Sequence, residues 1–352
     1  MLLVRPAGIE DLPALMRLAE ASVPRLTNLP AHQERLAARL EQSTRALSAP
    51  IEAPGEECYT FVLEDRTPST PEVVGTASLR ACAGAREAYY TWRREMLIHA
   101  SQQLDVRREV SILSLSHELS EASLLCAFSL DARYRGTPAE RLLRRSRLLF
   151  AAQYPERFRT MMGVAMPGWL DDQLRSPFWE SVGRRFFSRD FHEINELAGI
   201  HSKSFIAEVM PPFPLYEPLL SDGARSVIGS IHEAHHAAAA DLRDEGFRDS
   251  RHIDLFDGGL LLEAPFDQLH CVRHGHWHPV RIDDAQSTAG QMPALVANQQ
   301  AETFRCMMVP HALSATRQLL LSSAQAEQLG VEAGQAVLAV ALAGDDREVP
   351  VC

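Results

Sequence analysis

Ser123-Leu-Leu-Cys-Ala-Phe-Ser-Leu-Asp131 runs directly into Ala132-Arg-Tyr-Arg-Gly136-Thr-Pro138. The first segment is an apolar run bounded by polar residues, the pattern of a buried strand. The second reads as a tight loop. Pro138 then opens a helix that runs to Gln153, proline being tolerated in the first turn. In a strand–loop–helix junction of this kind, backbone amides and the positive end of the helix dipole converge on one spot, which suits an anion. Gly136 lets the backbone approach closely. Between Ala132 and Phe150 stand six arginines (133, 135, 141, 144, 145, 147) and one acid, Glu140. In a chain of net charge −11 this predicts a local basic patch. The ordinary alternative is a solvated helix face, and a short glycine pattern alone does not separate the two.

Working outward, Leu2–Arg5 reads as a strand. Asp11–Glu20 and His32–Leu47 carry helical apolar stripes. Tyr59–Glu64 and Glu72–Cys82 read as paired strands around a turn. Met161–Met166 is a strand, helices are expected near 190–198, 222–228 and 233–245, and two strands near His252–Phe256 and Leu260–Ala264. From about Asp267 short apolar runs alternate with turns, with one helix near Ser323–Leu329. The division expected is 1–266 and a small β-rich subdomain, 267–352. The class is α+β.

A net charge of −11 excludes nucleic acid as a general partner, because phosphate binding needs a basic footprint. No apolar run reaches the ~18 residues of a membrane span, and the N-terminus lacks the pattern of a secretory signal. Six scattered cysteines without Cys-x-x-Cys suit reduced thiols, so a cytoplasmic location is expected.

Several further stretches have a characteristic order: Ser176-Pro-Phe-Trp-Glu-Ser-Val-Gly183, Phe205-Ile-Ala-Glu-Val-Met-Pro211, Val227-Ile-Gly-Ser-Ile-His232, Glu245-Gly-Phe247 and Ile253-Asp-Leu-Phe-Asp-Gly-Gly259. With His99-Ala-Ser101, Leu125-Cys126 and Val4-Arg-Pro6, they resemble the arginine N-succinyltransferase family over roughly residues 1–265. The resemblance implies an α+β fold of the GCN5-related N-acetyltransferase type: a mixed sheet flanked by helices. It implies transfer of a succinyl group from succinyl-CoA, as co-substrate, to the α-amine of L-arginine, in a homodimer or a hetero-oligomer with a homologous subunit. On that reading the loop at Arg133 and Gly136 cradles the CoA pyrophosphate, Leu125 and Cys126 border the acyl arm, and His232 is the proton donor. Two departures stand out. Pro138 occupies the place of a second small loop residue, and Ser116-His-Glu-Leu-Ser120 replaces an Asn-Asp-x-Thr-Gly pattern. They keep open a less active partner subunit as the second reading, and ornithine as acceptor is a third.

The residues support these roles unequally. A histidine titrates near neutrality and suits proton transfer, but a histidine before a helix is also an ordinary cap. His235 and His236 read as helix surface. A guanidinium is best held by a carboxylate, which makes Asp254 the first and Glu208 the second candidate. Asp254 alternatively closes a turn, and Asp257-Gly258-Gly259 is ordinary turn chemistry. Cys126 reads as a buried structural thiol. His270, Cys271, His274, His276 and His278 have a metal-like look, but the expectation is a His-rich loop or edge strand with no metal.

Overall fold

The computed structural model describes residues 1–23, 26–200, 204–285 and 291–342. The chain opens with β1 (Leu2–Pro6), α1 (Leu12–Glu20) and α2 (Gln33–Ser48), followed by β2 (Cys58–Asp65) and β3 (Glu72–Arg80). A long hairpin comes next, β4 (Thr91–Ser101) and β5 (Val106–Ser116). Then come β6 (Ser123–Leu130), α3 (Pro138–Gln153) and β7 (Met161–Ala165). Short helices follow: α4 (Pro177–Ser181), α5 (Gly183–Phe187), α6 (Phe191–Ile200) and α7 (Ser204–Val209). The chain continues through β8 (Leu215–Tyr216), α8 (Asp222–Val227), α9 (His236–Asp244), β9 (Arg248–Ile253) and β10 (Leu260–Pro265). It closes with α10 (His270–Arg273), β11 (His276–Ile282), β12 (Pro293–Ala297), β13 (Cys306–Pro310), β14 (Leu319–Leu321), α11 (Ser323–Leu329) and β15 (Ala336–Ala341).

These strands form one mixed sheet in the order β14-β11-β15-β12-β13-β1-β2-β3-β6-β7-β10-β9-β4-β5-β8. The expected mixed sheet with flanking helices is thus the observed one. Along one face lies α3, and its core joins Tyr59, Phe61, Leu79, Leu125 and Phe150 to Leu295, Phe304 and Leu338. The strands after residue 267 therefore extend the main sheet through the β13–β1 pairing and share its core. Helices α1 and α2 cover the other face through Leu15, Leu36, Leu40 and Val62. Trp179, buried, stacks on Phe187 at 5.6 Å between centroids, in a third core with Trp92 and Phe256.

Two differences from the sequence reading have clear causes. The β4–β5 hairpin was not legible because both faces of its outer part meet solvent, Met96, Ile98 and Leu104 being exposed, so no alternation marks it. The strand expected at His252–Phe256 ends at Ile253. The Asp254 carboxylate accepts the N–H of Phe256 at 2.8 Å and of Asp257 at 3.1 Å, and this local turn outcompetes the ladder.

Candidate functional site

Strands β6 and β7 are parallel, and their ladder covers only Ser123↔Met162, Leu124↔Gly163 and Leu125↔Val164. Beyond Leu125 they part. On the other side of β6, the register with β3 slips between Thr76 and Ser78, and Ala127 takes a positive φ of 51°. This is a bulge, which frees backbone groups. Asn28 Oδ1 accepts the Ala127 N–H at 3.1 Å. The buried Arg147 guanidinium donates to the carbonyls of Ser78 at 3.0 Å and Cys126 at 3.3 Å. Burial pulls its pKa down to about 9. The ladder with β7 thus stops at Leu125, whose side chain lies in the α3 core. Cys126 instead projects to the opposite face, half-buried and packed against the α1–α2 cluster, so it is less enclosed than the sequence suggested.

The loop before α3 is built as expected, but its charges are arranged differently. Gly136 has φ +70°, and no atom lies within 4 Å of where a Cβ would stand. Its N–H donates to Glu140 Oε2 at 2.8 Å. Thr137 caps the helix by accepting the Ala139 N–H at 3.3 Å. Arg133, exposed, pairs with Asp131 at 2.9 Å and Glu72 at 3.1 Å. The expected basic patch is not an anion-facing one. Arg141, Arg144 and Arg145 converge on Asp241 of α9 at 3.0, 3.2 and 2.9 Å, Arg145 also reaches Glu245 at 3.1 Å, and Arg147 serves the bulge. Helical spacing carries Arg144, Arg145 and Arg147 inward, where desolvation demands partners, while Arg141 stays at the rim.

His232 sits where β7 ends, its N–H donating to the Pro167 carbonyl at 2.9 Å. Its Nδ1 accepts the Ala234 N–H at 3.2 Å, so the proton of the neutral ring is assigned to Nε2. The ring of His235 lies 6.1 Å away. His235 is half-buried, not plain helix surface, and its pKa is lowered to about 4, by burial first and then by His232 and Arg135. The His236 ring bonds the Ile231 carbonyl through Nε2 at 2.9 Å.

The Asp254–Gly259 turn closes the same end of the sheet. Asp257, buried, accepts the N–H of Gly168 at 2.8 Å and of Gly259 at 2.7 Å. Burial, then the neighbouring Asp254, pushes its pKa up to about 8. The Gly229 N–H donates to the Gly258 carbonyl at 2.8 Å, tying the His232 segment to this turn. Burial raises the Tyr89 phenol, and after it the charges of Asp254 and Cys126 do so; Tyr89 packs against Leu119, Ala122 and Leu261, and its N–H donates to Ser120 Oγ at 2.9 Å. Sequence reasoning missed Tyr89 and Asn28, neither of which carries a motif, and read Arg147 only as one arginine of a basic patch.

Leu125, Cys126, Gly136, His232 and Asp254 therefore gather around the end of β6 and β7. Glu208 stands exposed on α7, and no described contact joins it to this group. Of the His-rich segment, His274 ends α10 and only His276 and His278 lie in β11. His270 and His278 each bond a backbone carbonyl, of Ala341 at 3.1 Å and Arg317 at 3.0 Å. Among the described residues, no three His, Cys, Asp or Glu side chains converge as a metal site. A surface cavity lined by Arg94, Glu95, Met96, Ser111 and Arg251 lies on the hairpin side of the sheet. Among the described residues no helix is long and apolar enough to cross a membrane.

Comparison with known proteins agrees with this frame. A family model described as the arginine N-succinyltransferase beta subunit matches residues 2–271, and one for its C-terminal domain matches 278–341. The chain is 37% identical over 342 residues to arginine N-succinyltransferase subunit alpha of Pseudomonas aeruginosa, covering 97% of this chain and 100% of that protein. It is 38% identical over 350 residues to arginine N-succinyltransferase of Salmonella paratyphi B, covering 99% and 100%. The solved structure of arginine/ornithine succinyltransferase subunit AI from Pseudomonas aeruginosa superposes with a TM-score of 0.89 at 35% identity, covering 98% of this chain and 99% of that one. The chain belongs to the arginine N-succinyltransferase family.

Proposed function

We propose that this protein transfers the succinyl group of succinyl-CoA to the α-amine of L-arginine. Full-length similarity to named arginine N-succinyltransferases and the end of the β6–β7 ladder at Leu125, with His232 bonded to Pro167 just past β7, support the reading together. The observation that carries it is the parting of β6 and β7 after Leu125. A parallel pair that opens there leaves strand backbone free to receive an extended thioester arm. The loop at Gly136 takes the pyrophosphate at one side, and Arg133 is a cation at its rim.

The amine must lose a proton to attack the thioester carbonyl, and the departing CoA thiolate gains one. His232 presents Nε2–H outward while Nδ1 holds the Ala234 amide, the orientation of a donor. To act as base at Nε2, the ring must release this cap and shift its proton to Nδ1. Asp254 is the proposed partner of the arginine guanidinium. It can hold its turn through Oδ1 and offer Oδ2. Glu208 is left as a second carboxylate. Holding both substrates at one strand end supplies much of the rate through proximity.

Ornithine as acceptor is a second reading, favoured by the name of the solved relative. The subunit names of the relatives support an oligomer, as homodimer or with a homologous subunit. A CoA thioester as co-substrate and the free thiols of five described cysteines support a cytoplasmic location. The test is release of free CoA from succinyl-CoA by the purified single chain, with arginine and separately with ornithine. Release with arginine supports the proposal, and no release with either acceptor refutes activity of the chain by itself.

A further inference from the structure

A second set of side chains meets Cys126 on the face of the sheet turned toward α2. The register pairs Cys58 with Arg80 and Thr60 with Ser78 across β2 and β3. It then pairs Arg80 with Leu124 and Ser78 with Cys126 across β3 and β6. Directly opposed residues share a face, so Cys58, Thr60, Ser78, Arg80 and Cys126 form one patch. The Thr60 and Ser78 hydroxyls confirm the alignment at 3.0 Å. Helix α2 lies over it, since Ser43 Oγ accepts the Thr60 N–H at 2.8 Å. One helical turn earlier stands Arg39, half-buried, with its Nη1 buried and unpartnered. Arg39 and Arg80 both act on the two thiols, and neither has a described carboxylate partner. A buried N–H left unmade costs ~1–3 kcal/mol. Arg39 carries that cost on a patch it shares with Arg80, which a ligand that completes both guanidinia would offset.

We propose that Arg39 and Arg80 form a cradle for the terminal carboxylate of the succinyl group, and so select the acyl donor. The inference rests on the succinyl transfer proposed above. Guanidinia grip a carboxylate through paired N–H donors. The spacing fits: Arg80 faces Leu124, one to two residues from the Leu125–Cys126 end of the ladder, roughly 3–7 Å along the strand. A succinyl group spans three C–C bonds of ~1.5 Å. The acceptor's cationic side chain belongs at the other side, where Asp254 and Asp257 lie. The α-carboxylate of arginine is the competing occupant.

Calorimetric binding of succinyl-CoA and butyryl-CoA to the wild type, Arg39→Met and Arg80→Met tests the proposal, since butyryl has the same four carbons without the carboxylate. The expected result is a ~10–150-fold loss of succinyl-CoA affinity, as for a charge-assisted hydrogen bond, with butyryl-CoA nearly unchanged. Arg80→Lys, which keeps the charge without the fork, should fall between, and it serves if the methionine variants misfold. On the unmodified protein, succinate should compete with succinyl-CoA far better than butyrate does. Equal losses for both thioesters, or a rise confined to the KM for arginine, would overturn the cradle. A wild type that binds succinyl-CoA selectively but releases no CoA with any acceptor refutes the transferase reading and leaves the cradle standing.

Discussion

Glu140→Gln should tighten CoA binding while weakening the fold. In the structure the Glu140 carboxylate accepts the Gly136 N–H at 2.8 Å through Oε2 and pairs with Arg144 at 2.5 Å through Oε1. It thus occupies the amide that a phosphate oxygen needs. A phosphate at that amide would lie ~4 Å from the carboxylate. Two unit charges at that separation repel by ~1 kcal/mol in water and ~4 kcal/mol near a protein surface. Since the Glu140 side chain is 22% exposed and can swing toward Arg144, the lower part of that range applies. Removing the charge should strengthen binding by ~1–2 kcal/mol, roughly 5- to 30-fold in Kd. Glutamine keeps one carbonyl oxygen but loses a charge-assisted bond, which should destabilise the fold by ~1 kcal/mol. Calorimetry with CoA and thermal denaturation read the two signs separately. An unchanged or weaker CoA affinity, with the fold intact, would show that the Gly136 loop does not hold the pyrophosphate.

Four further outcomes are expected. His232→Ala should lower kcat by ~10²–10⁴ with both substrates still bound, as steady-state kinetics and calorimetric binding read separately; normal kcat would remove it from the chemistry. His235→Ala should be destabilising by ~1 kcal/mol rather than silent, because its ring is half-buried, as a melting curve will read. Asp254→Asn should weaken arginine binding by ~1.5–3 kcal/mol without unfolding the turn, because an amide oxygen can replace Oδ1; unaltered arginine affinity dismisses it. Asp257 is raised to about 8 in the fold, so the folded state holds its proton longer than the unfolded chain does. Its stabilising contribution is complete below the ordinary carboxylate range and is lost as pH rises through about 8; Asp257→Asn should flatten that fall in a denaturation series.

The boundary near residue 266 remains a proposal for domain organisation, and the packing gives it a limit. Phe304 contacts Phe61 at 5.4 Å and Phe150 at 5.3 Å between centroids. Cutting at 266 strips these rings, so the two parts share a core even where their sequence textures differ.

What the sequence determined by itself was local. The apolar run Ser123–Leu130, the break at Pro138 and the capping Thr137 dictate strand, loop and helix through contacts within a few residues, and α3 and α11 fall where periodicity placed them. Gly136 was legible as a point where the backbone approaches closely, and the fold adds that its φ is +70°. The β4–β5 hairpin was not, since its pairing is specified by the partner strand and not by a buried face. Tertiary structure alone decided where the arginines of α3 point. Composition showed a basic helix, but Asp241 and Glu245, nearly a hundred residues away, draw Arg144 and Arg145 into the interior. The meeting of Cys58, Arg80 and Cys126 likewise follows from register across three strands. Such register is a property of the folded sheet, because residues remote in the chain become neighbours only when their backbones pair.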